Sequence, residues 1–454
     1  MLICSRALKL ALIPLALFVL LGGVARAQEA HRRFDDLCLM RQQKFDRILP
    51  QVMHENHIDM WIVAEREGHY DPMVDQLGPG YANEIGYYIF TDRGSGRIER
   101  ATLNLVDADS DPDSDCKTYD IDASGIDIKK FIAERNPKRI GIDIATEIGT
   151  ADGLSYSLHE DLVRMLGPEL AARLVSAEKL VSDFRSRHVE AELIAFAKAG
   201  EFSRLLAERA LSNEVITPGK TSLDDVAWWM RERLFDHHLE SSFGTPSVYV
   251  LGPGEGHPVS NDHIIQPGEL LAIDWGVKFQ GMYTDMKRLA YVLKPGEAVP
   301  PPGVQHAFDR AMAVRDMIYR TVKPGITAGE ALRTLNDNVR AMPGYFVDAK
   351  WPSYTPNGRS NLSPDSSVTD IFIGSHSTGD FGHGSGPSIA DFNPLRMTYR
   401  LHATNLFSVE FFSFTVIPEW GSRKVTVPLE DDAVLTERGL EWVYPPNSHI
   451  LLIH

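Results

Sequence analysis

Residues 270–293 read LLAIDWGVKFQGMYTDMKRLAYVL, and the fold turns on how this stretch is folded. Leu270 to Ile273 form the kind of apolar run that makes a buried strand, and the run continues straight into Asp274. Eleven residues later Asp285 precedes a second apolar run, Leu289 to Leu293. Two such runs with turn residues between them predict an antiparallel hairpin. A turn at Phe279-Gln280 pairs Lys278 with Gly281, Gly276 with Tyr283 and Asp274 with Asp285; a bulge at Gly281 would shift the pairing by one. Directly opposed residues hold their Cβ atoms about 5 Å apart on one face. Two carboxylates so placed repel, and taking each out of water costs several kcal/mol. A cation between them is the natural resolution.

The figure recurs near the C-terminus. NLFSVEFFSFTVIPEWGSRKVTVPLEDDAVLT holds Glu410 in one apolar strand and Glu430 at the end of another, with turn residues Trp420-Gly421-Ser422 midway. Between the hairpins lies SHSTGDFGHGSGPS (375–388), where His383 is framed by Gly382, Gly384 and Gly386. Four carboxylates and an imidazole suit a pair of divalent ions about 3.5–4 Å apart. Oxygen-rich ligation with one nitrogen favours manganese, iron, cobalt or zinc, manganese first. The chemistry is then hydrolysis, a hydroxide between the ions attacking a carbonyl while the metals stabilise the oxyanion. The bland alternative makes these acids ordinary ion-pair partners, with Lys287 and Arg288 at hand for Asp285.

At these residues the chain resembles the pita-bread metallopeptidases: methionine aminopeptidase, aminopeptidase P, prolidase and the metal-free creatinase. The resemblance rests on Asp274-Trp275-Gly276 followed by Asp285-Met286-Lys287-Arg288, on His383 in GHGSG, Glu410 in SVEFF and Glu430 in LEDDAVLT. It implies that Asp274, Asp285, His383, Glu410 and Glu430 are metal ligands. Glu410 is also the family's proton shuttle, and His257 in GEGHPVSND matches a histidine that assists the substrate or the tetrahedral intermediate. It further implies a curved antiparallel sheet with two-fold pseudo-symmetry in an α+β catalytic domain, residues 186–454. RQQKFDRIL and HIDMWIV look like the creatinase-type α/β domain that precedes it, residues 28–185.

Two departures bear on substrate choice. Relatives that cleave prolyl bonds commonly carry a second histidine seven residues after the ligand; Ala390 stands there. They often carry an arginine two residues before the last glutamate, where this chain has Pro428. His376, seven residues before His383, is a catalytic candidate from the other side, or simply polar lining. The expected function is a dimetal hydrolase of short peptides, Xaa-Pro aminopeptidase or dipeptidase in type. The alternatives are a same-fold enzyme acting on a non-peptide small molecule, such as a carbon–sulfur lyase, and a non-catalytic relative.

The 454 residues are 43% hydrophobic and 24% charged, the composition of an ordinary globular protein. Residues 1–27 have Arg6 and Lys9 before an apolar stretch, then Ala25-Arg26-Ala27, the pattern of a cleaved export signal. Losing the three positive charges Arg6, Lys9 and Arg26 takes the formal net charge from −16 to −19. So acidic a protein repels nucleic acid and anionic membrane surfaces. Cys38 and Cys116 then remain, free to pair in an oxidising compartment or to stay apart. Periplasmic or secreted location is expected, with no membrane association of the mature form; a homodimer is expected only by analogy with the family.

Helices are expected at 32–55, 126–136, 155–167, 178–188, 190–215, 221–238, 308–322 and 328–339, and strands at 60–64, 85–91, 100–106 and 139–144. The polar stretch 351–370 reads as a long surface loop. No Gly-rich nucleotide fingerprint occurs in 28–185, so that part is expected to be structural or gating.

Overall fold

The computed structural model describes residues 29–78, 80–82, 84–94, 96–105, 116–252, 260–347, 362–391 and 393–454. The expected export signal, His257 and most of the 351–370 loop lie outside these residues.

Residues 29–43 are helical, and the helix continues through the π-helical turn Lys44–Ile48 into Leu49–Glu55. Pro50 does not break the run, because it falls in the first turn of Leu49–Glu55 and the wider turn just before it opens the hydrogen-bond ladder where the ring lacks an N–H. A six-stranded mixed sheet follows, in the order Ile121–Ala123, Ile98–Leu103, Gly86–Asp92, Met60–Glu65, Ile140–Ile142, Leu174–Ser176. One face packs Phe45, Leu49, Trp61, Phe90 and Phe184. The other packs Ile62, Ile89, Ile132, Leu158 and Leu162. Both faces being covered explains the unbroken apolar strand MWIVAE. Cys38 and Cys116 are joined by a disulfide.

Glu65 closes that strand, fully buried, and neither of its carboxylate oxygens meets a hydrogen-bond donor among the described residues. Burial, with Asp71 nearby, pushes its pKa up to about 7, and burial raises Asp71 to about 6. A carboxyl whose folded pKa lies above its unfolded value favours folding most below the unfolded pKa, near 4, and that contribution is lost as pH rises toward 7. Glu65→Gln should therefore raise the melting temperature by several degrees at pH 8 and leave it nearly unchanged at pH 4.5 in thermal denaturation.

The rest of the chain builds two similar halves. In the first, helices Glu190–Ala210 and Leu223–Asp236 cover strands Ser247–Gly252, Leu270–Trp275 and Met286–Val292. In the second, helices Pro302–Thr321 and Ala328–Ala341 cover strands Thr369–Ile373, Phe411–Val416 and Lys424–Leu429. Ser222 caps its helix, its Oγ accepting the Asp225 N–H at 3.1 Å. Short strands Val277–Phe279, Ser375–Ser377, Leu406–Ser408 and Asp432–Thr436 extend the long ones beyond bends. Asp285, Glu410 and Glu430 all stand at such bends, just outside their strands.

The first hairpin corrects the expected register. Its turn is Gln280-Gly281, both with positive φ (50° and 74°), the geometry of a two-residue hairpin turn with glycine second. Lys278 faces Tyr283, and Asp274 faces Lys287, not Asp285. Moving the turn by one residue moves every partner by two, so Asp285 stays on the same face one step along. The second hairpin keeps its expected register: Phe411 faces Leu429, and Glu410 and Glu430 follow as the next residues of the two strands.

Candidate metal centre

Four carboxylates, two imidazoles and one ammonium converge where the two halves meet. Lys287 lies mid-sheet, its N–H donating to the Glu430 carbonyl at 3.1 Å. Its ammonium donates to Glu410 Oε1 at 2.7 Å and to Glu430 Oε2, and lies 3.1 Å from Asp274 Oδ2. On the other side His376 Nε2 is 3.7 Å from each of Asp285 Oδ2, Glu410 Oε2 and Glu430 Oε1. His383 Nε2 lies 3.6 Å from Asp285 Oδ2, and the two imidazoles meet edge to face at 4.5 Å.

Both histidines reach the centre, with opposite burial. The His376 side chain, on strand Ser375–Ser377, is 3% exposed, whereas that of His383 is 72% exposed. His376 Nδ1 lies 3.0 Å from the Ser377 carbonyl. A carbonyl only accepts, so Nδ1 carries the proton and Nε2 turns a bare lone pair toward the carboxylates. Nε2 and both Asp285 oxygens are buried without a hydrogen-bond donor among the described residues. Acceptors aimed at acceptors in a dry interior are costly, and a cation at their focus removes the cost. The donor set fits a divalent ion: ligand atoms of Asp285, His376 and His383 lie within 4.8 Å of one another, as do those of His376, Glu410 and Glu430.

Electrostatics agree. Burial, then Glu430 and Asp274, push the Asp285 carboxyl well above the usual range. Burial raises Asp274 too, and lifts Glu410 to about 7. Glu430 is buried as well, but the Lys287 ammonium holds it at about 2. The same carboxylates hold Lys287 firmly protonated against its own burial.

A second tier fixes the strands. Arg288, on the opposite face from Lys287, donates to Asp431 at 2.7 Å. Asp432 accepts the Asp285 N–H at 3.2 Å and the Tyr444 hydroxyl at 3.0 Å. The loop carrying His383 is clamped from the N-terminal side: Asp380 accepts Arg185 Nε at 3.0 Å and the Ser385 N–H at 3.1 Å, and Ser385 Oγ lies 2.7 Å from Thr150 Oγ1. A cavity of about 260 Å³ opens beside His383, walled by Gly384, Ser385, Asn393, Leu395, Arg396 and, from the N-terminal part, Glu147 to Thr150.

The sequence model of Metallopeptidase family M24 matches residues 195–437, more than half of the chain. The chain belongs to metallopeptidase family M24. Among curated relatives, an uncharacterized peptidase, YqhT, of Bacillus subtilis is 25% identical over 72% of this chain and 76% of its own length. A Xaa-Pro dipeptidase of Pyrococcus horikoshii is 23% identical over 67% of this chain and 78% of its own. Among solved structures, an X-Pro aminopeptidase from Thermotoga maritima superposes with a TM-score of 0.62 at 16% identity, covering 88% of this chain and 99% of that one. Aminopeptidase P of Escherichia coli, as its His350Ala variant, gives 0.57 at 15% identity, covering 88% and 94%. These likenesses establish the pita-bread fold.

The five ligand candidates read from the sequence, Asp274, Asp285, His383, Glu410 and Glu430, come together with His376, while His257, read as a substrate-assisting histidine, lies outside the described residues. Lys287 and Arg288 do not pair with Asp285 as the bland reading had it; they serve Asp274, Glu410 and Glu430, and Asp431. The central place of Lys287, the second tier of Asp431, Asp432 and Tyr444, and Arg396 were not read from the sequence. Alternation along Asp285-Met286-Lys287 carries the signal for the first, since residues two apart share a face.

Proposed function

We propose that the chain is a metal-dependent hydrolase of short peptides with Xaa-Pro preference, and that His376 is its imidazole ligand. The observation that carries this is the facing of His376 Nε2 and both Asp285 oxygens, all buried and without donors. The roles first read for the two histidines are thereby exchanged. His383 then occupies the position seven residues after the ligand, where prolyl-specific relatives carry a histidine, and Ala390 ceases to be a departure. Pro428 remains one, paired to Phe412 within its sheet.

A bound divalent ion, manganese being the first to test, supplies Lewis-acid polarisation of the scissile carbonyl and a water acidified toward neutral pH. Asp285, Glu410, Glu430 and His376 would hold it. The protein's own residues do the rest. Glu410 takes the proton from the attacking water and delivers it to the departing nitrogen. His383 and the Arg396 guanidinium line one cavity, so a short peptide can place its carbonyl near the imidazole and its carboxylate toward the arginine. Glu147 to Thr150 close the far wall, which limits substrate length.

Export of the mature chain is part of the same reading. The expected signal at 1–27 and the Cys38–Cys116 bond support an oxidising compartment. Among the described residues no helix is long and apolar enough to cross a membrane.

The test is a peptide panel digested by purified protein, with and without chelator. Xaa-Pro dipeptides and short Xaa-Pro-led peptides should be cleaved, chelation should stop cleavage, and manganese should restore it. Cleavage insensitive to chelation, or none of any peptide by metal-loaded protein, would overturn the reading.

A further inference from the structure

We propose that Lys287 is a resident cation of the centre, filling one of its two cation positions, so that the chain takes one divalent ion rather than two. The inference rests on the metal-dependent reading above and adds the number of ions and the residue that sets it.

The oxygens of the two glutamates divide between two places. Glu410 turns Oε1 to the Lys287 ammonium and Oε2 to His376; Glu430 turns Oε2 to the ammonium and Oε1 to His376. Each glutamate thus bridges two places, as carboxylates do between paired ions. One place is held by the ammonium, which also meets Asp274 at 3.1 Å. The other is the focus of Asp285 and His376, whose inward atoms lack donors. The demand for positive charge is met on the first side and unmet on the second.

Lys287 is also built to stay. Its backbone is paired in an antiparallel ladder, opposite Asp274, with its N–H bound to the Glu430 carbonyl. Its side chain is 5% exposed, and the ammonium lies 5.7 Å from the Phe412 ring centre. A divalent ion entering between Asp274, Glu410 and Glu430 would have to displace a tethered like charge that already makes three ion pairs. An ion at the His376 side meets carboxylate oxygens and a free imidazole lone pair. The aspartate that a dinuclear site would use as the outer ligand of one ion, Asp274, therefore serves Lys287 in this chain.

The test is manganese stoichiometry by elemental analysis with electron paramagnetic resonance on full-length protein, stripped by chelator and re-equilibrated with Mn²⁺. Wild type should bind one ion per chain and show the six-line spectrum of isolated Mn²⁺. Lys287→Thr, which removes the charge and opens the space, should bind two and show exchange coupling. Two coupled ions in wild type would overturn the inference and leave the hydrolase reading intact, and so would one ion in both proteins. No bound ion in either would overturn both. Should Lys287→Thr fail to fold, the wild-type count and spectrum decide alone.

Discussion

Asp285→Asn should abolish peptide hydrolysis, by about 1,000-fold or more in kcat/KM, while leaving the fold intact. The two effects separate because the carboxylate serves the ion and not the structure. Asp285 is buried beside Glu430 and Asp274, its two oxygens meet no donor among the described residues, and burial already drives it toward the neutral acid. A neutral amide of the same shape relieves that cost in the metal-free protein. The melting temperature of stripped Asp285→Asn protein should accordingly equal or exceed that of stripped wild type, and only wild type should gain stability on adding manganese. A variant that melts well below wild type without metal would show that Asp285 is a structural ion-pair partner, as the bland reading of the sequence had it.

The histidine pair gives the second large effect. His376→Ala removes a buried imidazole whose Nε2 faces three carboxylates, and metal affinity should fall at least about 100-fold with activity following it. His383→Ala removes an exposed side chain from the cavity rim. It should keep its metal and lose about 10- to 100-fold in kcat/KM, concentrated on Xaa-Pro substrates; 100-fold corresponds to about 2.7 kcal/mol of transition-state binding. Metal content and kinetics on both variants read the split. The reverse outcome, metal lost with His383 and kept without His376, would restore the roles first read from the sequence.

That exchange shows where sequence reading reaches its limit. The acid spacings were legible because each carboxylate interrupts an apolar run, and burial of such runs is a local property. The second hairpin, whose turn residues lie midway between Glu410 and Glu430, even kept its register. The first slipped by one turn position: Gln280 takes a positive φ, which a non-glycine residue does not advertise, although Gly281 beside it is the usual second residue of such a turn. With the slip, Lys287 was read as an ion-pair partner at hand for Asp285, when it stands opposite Asp274. His376 was named as a catalytic candidate, but its place as the buried imidazole of the centre was hidden for another reason. Ser375 and Ser377 around it read as loop, and its burial comes from distant strands, Leu406–Ser408 on one side and Ser388–Ile389 on the other. Asp431 and Asp432 were passed over because their partners, Arg288 and Tyr444, come from elsewhere in the chain. In the N-terminal part, strands of three residues such as Ile121–Ala123 and Leu174–Ser176 are too short for any periodicity to show.

The proposed hydrolysis requires a divalent ion at the focus of Asp285, His376, Glu410 and Glu430. A crystal grown with Mn²⁺ and measured at the manganese absorption edge addresses this directly. An anomalous peak within about 2.0–2.4 Å of His376 Nε2 and an Asp285 oxygen is the expected result. A manganese-soaked crystal with no anomalous density there, or with its ion bound only at His383 and away from His376, would contradict it.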